Sequence, residues 1–159
     1  MNFKSIIDQQ ILLDKAIKEA HKINQDYSNQ MIIALYTEVG EFANEIQSFK
    51  YWKKSKNIDQ DKLLEEFADG LHFLISFAIK TNCNYIIEPL VLSNDINYQL
   101  LEMFKSIYKL SKKISRRNVT KCIAIYIGIA KILNIEDDLI IESYMLKNKK
   151  NFERIKNNY

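Results

Sequence analysis

Apolar residues along this chain recur every three or four positions in several stretches, and polar intervals separate them. That spacing lays one apolar stripe along a helix. Residues 4–23 carry Ile6, Ile7, Leu12, Leu13, Ile17 and Ile23, and the polar Asn24-Gln25-Asp26 then breaks the period. Ser28 or Asn29 is expected to cap a second helix from about Gln30 to Ser48, striped by Ile32, Leu35, Tyr36, Val39, Phe42, Ala43 and Ile46. Residues 49–60 lose the pattern and read as a basic, aromatic loop. Asp59 or Asp61 then caps a third helix to Lys80, with Leu63, Leu64, Phe67, Leu71, Leu74 and Ile75 inward. The pattern fails again over 81–94, where Pro89 opposes a continuous helix. Three further helical stretches follow: Asp95 to Ile114, a second opening at Asn118 or Thr120 and reaching Leu133, and a last from Glu136 to about Asn157. The first of these places Ile96, Leu100, Leu101, Phe104, Ile107, Tyr108 and Leu110 on its stripe. The last is apolar early (Leu139, Ile140, Tyr144) and basic late. With no internal repeat or low-complexity tract, the expectation is an all-α helical bundle.

Composition narrows this without redirecting it. A chain of 159 residues is most simply one domain, 1–159, and 47% hydrophobic with 27% charged residues suits a soluble folded protein. Three glycines and one proline are too few for a turn-rich all-β fold. A net charge of +3 demands neither a nucleic acid nor a membrane. Cys83 and Cys122 lack ligand-like spacing and fit reduced thiols in a cytoplasmic protein. The N-terminal residues hold no long apolar core of a signal peptide. The run from Cys122 to Ala130 stops at Lys131, too short to span a bilayer.

The chemistry concentrates between residues 36 and 73. Glu38-x-x-Glu41 and Glu66-x-x-Asp69 each put two carboxylates on one helix face. Like charges so spaced destabilise a helix by roughly 0.2–0.5 kcal/mol per pair, and here they flank the apolar stripes instead of opposing them. A solvated acidic face is one reading. The other is a cage in which two packed helices present four carboxylates to a hard cation. An all-oxygen site without cysteine suits Mg²⁺. Gly40 lies inside the first pair and Gly70 follows the second, which suggests close helix approach where the acids converge.

Cationic residues cluster elsewhere. Lys50, Lys53, Lys54 and Lys56 surround Trp52 in the loop after the second helix, where they can hold phosphate or simply be solvated. His72 lies three residues beyond Asp69, on the acid face. Lys147, Asn151 and Arg154 share one face of the last helix, where charge at a helix C-terminus is itself favourable. Lys112, Lys113, Arg116 and Arg117 have no interleaved aromatics and read as a solvated helix end, so no nucleic-acid partner is expected.

Together these residues resemble a known family. The pairing of Glu38-x-x-Glu41 with Glu66-x-x-Asp69 is similar to that of the all-α, MazG-like nucleoside triphosphate pyrophosphohydrolases. The fuller text resembles the dimeric dUTPases of bacteria, phages and trypanosomatids: Glu38-Val-Gly-Glu41-Phe-Ala-Asn-Glu45, Phe49-Lys50-Tyr51-Trp52, Glu65 through Phe73, and Lys147, Asn151, Arg154 and Tyr159. Gln10, Leu13, Asp14 and Ile17 fit more loosely. Ile155 and Asn158 depart from the family's usual polar residue and glycine. The resemblance implies a homodimer that hydrolyses dUTP, and dUDP too, with Mg²⁺, yielding dUMP and, from dUTP, pyrophosphate. It implies that Glu38, Glu41, Glu66 and Asp69 bind metal, with Glu45 joining a further ion and Glu38 or Glu41 serving the attacking water. Lys50, Lys147, Arg154 and Tyr159 would hold phosphate, and Gln10, Asp14, Trp52, His72 and Asn151 would lie near the nucleoside. Two other readings remain: a pyrophosphohydrolase for another nucleotide such as dCTP or a damaged nucleotide, and a non-catalytic helical interaction module.

Overall fold

The computed structural model describes residues 1–157. Its helices are α1 (Lys4–Ala20), α2 (Ser28–Ile46), α3 (Gln60–Lys80), α4 (Ile96–Lys112), α5 (Arg116–Ile132) and α6 (Asp137–Lys156). Among the described residues the only extended pairing is a single bridge between Asn2 and Ile86. The all-α expectation holds. No single helix among these residues is long and apolar enough to cross a membrane.

Helix α3 organises the bundle because it is apolar on more than one side, and it packs against α1, α2, α5 and α6. Phe42 of α2, Phe67 of α3 and Tyr126 of α5 meet beneath the acid pairs and are completely buried. Phe67 and Tyr126 stack with centroids 4.5 Å apart, and Phe42 meets both edge-on. The Tyr126 hydroxyl donates to the Phe67 carbonyl at 2.9 Å, so its one polar atom is satisfied inside the core. Burial of each such ring contributes about 1.5–3 kcal/mol. Because residues 42 and 67 immediately follow Glu41 and Glu66, this aromatic packing fixes where the acids emerge.

Several local expectations are revised. Helix α2 starts at Ser28 with no side-chain cap, since the Ser28 hydroxyl is turned towards Asp26. It ends at Ile46, because Gln47 enters the left-handed region at φ 59°. Asp59 caps α3 by accepting from the Lys62 amide. Ser115, rather than Asn118 or Thr120, caps α5, its Oγ accepting from the Asn118 amide. Leu12, Leu101, Tyr108 and Leu139 are exposed: each sits beside a buried neighbour (Leu13, Leu100, Ile107, Ile140), and a step of about 100° per residue carries it off the stripe. The Pro89 segment crosses α5, where the Leu90 amide donates to the Ala124 carbonyl and buried Gln99 donates to the Leu90 carbonyl. A Cβ on Gly128 would collide with that carbonyl.

The glycine expectation divides. A Cβ on Gly70 would strike the Tyr126 ring, so close approach is real there, although it is to α5. A Cβ on Gly40 would meet nothing within 4 Å, so Gly40 marks no close approach.

Candidate functional site

Packing of α2 on α3 brings one carboxylate oxygen each from Glu38, Glu66 and Asp69 within 4.8 Å of one another. Glu41 lies beside them, exposed, and shares a hydrogen bond with Glu66. Such crowding disfavours full ionisation. Burial first, then the charges of Asp69, Glu41 and Glu66, push the Glu38 carboxyl from 4.5 up to about 7. Burial and neighbouring acids also raise Glu66, and burial raises Asp69 against the opposing pull of Lys147. Glu45 stands apart from the trio and pairs with Lys62 at 3.1 Å.

Helix α6 supplies the countercharge. Lys147, its side chain only 7% exposed, reaches Asp69 at 2.5 Å and Glu65 at 2.9 Å. Burial opposes the charge on Lys147, but its bonds to Asp69 and Glu65 outweigh this and raise its pKa. Lys150 reaches the second Glu65 oxygen at 3.1 Å, and hydrogen bonds from the two lysines lower the Glu65 pKa. Glu65 and Lys150 are participants the spacing argument missed, although Glu65 directly precedes the second acid pair.

Glu38 and Asp69 also form one wall of a cavity of about 450 Å³. Leu13, Ile17, Met31 and Phe73 give it an apolar middle, and Asn151 and Arg154 of α6 stand on its rim. Gln10, Asp14, His72 and Ser76 line the same cavity and, with Tyr144, form a polar cluster spanning three helices. The buried Gln10 amide nitrogen donates to Asp14 at 2.7 Å and to Ser76 at 3.1 Å. The Ser76 hydroxyl donates to the same Asp14 oxygen at 2.9 Å. The Gln10 carbonyl oxygen faces His72 Nδ1 at 2.7 Å and accepts from the Tyr144 hydroxyl. The His72 ring stacks on Tyr144, and burial lowers its pKa from 6.5 to about 3, so it is neutral. Ser76 and Tyr144 were not singled out by sequence. The signal for Ser76 was its place one turn after His72, whereas Tyr144 was read only as core.

The loop residues are elsewhere. Trp52 is 61% exposed and packs edge-on against Phe49 and Tyr51, away from this cavity's wall. Lys50 donates to the Asn44 carbonyl at 3.0 Å, Lys53 to the Gln47 side chain at 2.9 Å and Lys56 to the Ser48 carbonyl at 3.2 Å. Their charges therefore serve the C-terminal end of α2, where carbonyls lack helical partners. Tyr159 lies outside the described residues.

Clustered acids, an adjoining cleft and cations from a third helix form an arrangement able to hold a divalent cation beside an anionic ligand. The sequence model of the dUTPase family matches residues 2–159, and the chain belongs to that family. It is accordingly a dUTP diphosphatase, which sets aside the interaction-module reading. No curated protein matches the chain.

Proposed function

We propose that residues 1–159 form one catalytic domain that hydrolyses dUTP, and also dUDP, to dUMP with Mg²⁺, releasing pyrophosphate from dUTP. The observation that carries this reading is the acid trio beside a cavity whose lining Glu38 and Asp69 share with a hydrogen-bonded polar cluster. Three oxygen donors within 4.8 Å, with no thiolate or imidazole among them, fit a hard divalent cation. The raised Glu38 carboxyl marks negative charge that a cation would relieve. Glu38, Glu66 and Asp69 would hold the ion, with Glu41 completing the set and Glu45 within reach of a further ion if Lys62 releases it. Mg²⁺ when bound would supply charge neutralisation of the phosphates and polarise the attacked phosphorus.

The chain's own residues divide the remaining work. Glu41, exposed and outside the trio, would take a proton from the attacking water while Glu38 would orient it. Lys147, clamped by Asp69 and Glu65, is a fixed positive charge against which phosphate oxygens can rest. Arg154, which lines the cavity, would close over the phosphates together with Tyr159. Gln10, Asp14 and His72 would meet the nucleoside, with Asn151 nearby.

Function as a homodimer in the cytoplasm is part of this reading. Phe49, Tyr51, Leu101 and Phe104 line a shallow apolar groove between α2 and α4 that a second copy would cover. Turnover of dUTP, dUDP and dCTP with and without Mg²⁺, with pyrophosphate and phosphate measured separately, tests the chemistry. The expected result is Mg²⁺-dependent pyrophosphate release from dUTP and phosphate release from dUDP. Metal-independent turnover, or preferred turnover of dCTP, would overturn it.

A further inference from the structure

Asp69 belongs to two acid pairs at once. On α3 it lies three residues from Glu66, with which it meets Glu38 of α2, and four from Glu65, with which it meets α6. Lys147 and Lys150 stand three apart on α6, and packing of α3 on α6 sets them against that second pair. The result is a row of alternating charge. Lys150 Nζ reaches Glu65 Oε2 at 3.1 Å, Lys147 Nζ reaches Glu65 Oε1 at 2.9 Å, and the same Lys147 Nζ reaches Asp69 Oδ2 at 2.5 Å. The row runs from solvent into the trio, since the Lys150 side chain is 54% exposed and that of Lys147 only 7%. A buried ammonium on Asp69 fills, in charge and in place, part of what a divalent cation needs there. With little solvent to screen them, two cations sharing that carboxylate repel. An ammonium has three donors on a flexible stem, so Lys147 can leave Asp69 without leaving Glu65.

We propose that Lys147 is the internal counter-ion of the metal-free acid site and swings off Asp69 onto Glu65 when a divalent cation binds. Glu65, anchored by Lys150, is then the positioning residue that keeps the displaced ammonium beside the site. This rests on the trio being the metal site. Without metal, Lys147 offsets the acids and holds α6 against α3. With metal, its charge is released from Asp69 and remains where phosphate oxygens would approach. Metal and phosphate binding therefore reinforce each other through one ion pair that changes partner.

Binding of Mn²⁺ to the full chain without nucleotide, followed by the electron paramagnetic resonance of the free ion, tests the exchange. Lys147→Met should bind Mn²⁺ roughly tenfold more tightly than the wild type, and Glu65→Gln roughly tenfold more weakly, because Lys147 then has only Asp69 to hold. The double variant should match Lys147→Met, since Glu65 acts through Lys147. An equal loss from Glu65→Gln in both backgrounds overturns the positioning role, because Glu65 would then attract the ion by its own charge. Unchanged or weaker binding by Lys147→Met overturns the competition. If Lys147→Met does not fold, the wild type labelled with ¹⁵N and ¹³C carries the test. Its hydrogen-bond coupling from Lys147 Nζ to the Asp69 carboxyl carbon should vanish on adding Mg²⁺ while the coupling to Glu65 stays. A persistent Asp69 coupling overturns the exchange and, if dUTP is still turned over with Mg²⁺, leaves the functional reading standing. Absence of Mn²⁺ binding by the wild type and Lys147→Met alike removes the metal site and the exchange together.

Discussion

The two ends of the cavity are built on opposite principles. At the acid end, Glu38, Glu66 and Asp69 crowd together with more negative charge than Lys147 balances, and all three carboxyls are raised. In the polar cluster, the Gln10 amide and the Ser76 and Tyr144 hydroxyls all donate within the protein, and His72 Nε2 is buried with no partner among the described residues. One end is electrostatically strained and improves when a cation arrives. The other is already hydrogen-bonded within the protein.

The largest effect should come from separating the jobs of the acids. Glu41→Gln is expected to lower kcat by roughly 10²–10³-fold, the usual scale for losing one group that acts on the reacting centre, with helicity by circular dichroism unchanged. Glu38→Gln should lose activity too, but with weaker Mg²⁺ affinity, seen as partial rescue at high Mg²⁺. Equal metal affinity in the two variants would show that Glu38 and Glu41 do not differ in role.

That division was only partly legible in the sequence. The acid pairs were visible because their i, i+3 spacing holds in any helix, whereas the packing of α2 on α3 was one of two readings the spacing left open. The spacing could not tell that Glu38 joins Glu66 and Asp69 while Glu41 stays exposed, since this depends on how the two helices cross. Gln10, Asp14 and His72 were named by resemblance, but Ser76 and Tyr144 were not. A three-helix network is a property of tertiary packing, and Tyr144 is indistinguishable from a core aromatic in one dimension. Lys50 and Trp52 show the converse case: a basic, aromatic loop reads as a ligand site, while here the lysines serve the open carbonyls ending α2.

Removing Lys147 should sharpen the charge imbalance. Lys147→Met keeps the stem but leaves Asp69 and Glu65 without their shared cation, a loss of about 3 kcal/mol on the scale of broken buried pairs. Denaturant unfolding of the metal-free protein measures it. Added Mg²⁺ should recover part of the loss, because a cation at the trio offsets the same negative charge. No recovery would mean that Lys147 neutralises Glu65 rather than the trio.

The two ends also answer pH with opposite sign. Folded Glu38 keeps a proton that the unfolded chain releases between pH 4.5 and about 7, so its contribution to stability falls as pH rises through that window. Folded His72 refuses a proton that the unfolded chain binds below pH 6.5, so its contribution falls as pH drops towards about 3. Between 4.5 and 6.5 they oppose each other. Glu38→Gln should therefore unmask stability that rises with pH, and His72→Gln should unmask stability that falls with it. The limit for either group is about 1.4 kcal/mol per pH unit. The Glu38 slope should be shallower because solvent reaches its carboxyl. Denaturant midpoints of the metal-free proteins across that range decide it, and parallel slopes in the two variants would dissolve the contrast.

The smallest effect concerns Gly40, which sits between Glu38 and Glu41 in the middle of α2. A Cβ there meets nothing within 4 Å, so Gly40→Ala should stabilise the chain by about 0.5–1 kcal/mol through helix propensity alone. Gly70→Ala is the contrast: its Cβ would press on the Tyr126 ring, shifting the aromatic packing beneath the acids and lowering both stability and activity. If Gly40→Ala raises the melting temperature and leaves kcat/KM unchanged, the acid end owes its geometry to Phe42, Phe67 and Tyr126 and not to its own glycine. If it instead destabilises in a way that depends on protein concentration, the open space beside Gly40 is filled in solution by a second copy. The groove between α2 and α4, which Gly40 also lines, would then be a contact between subunits.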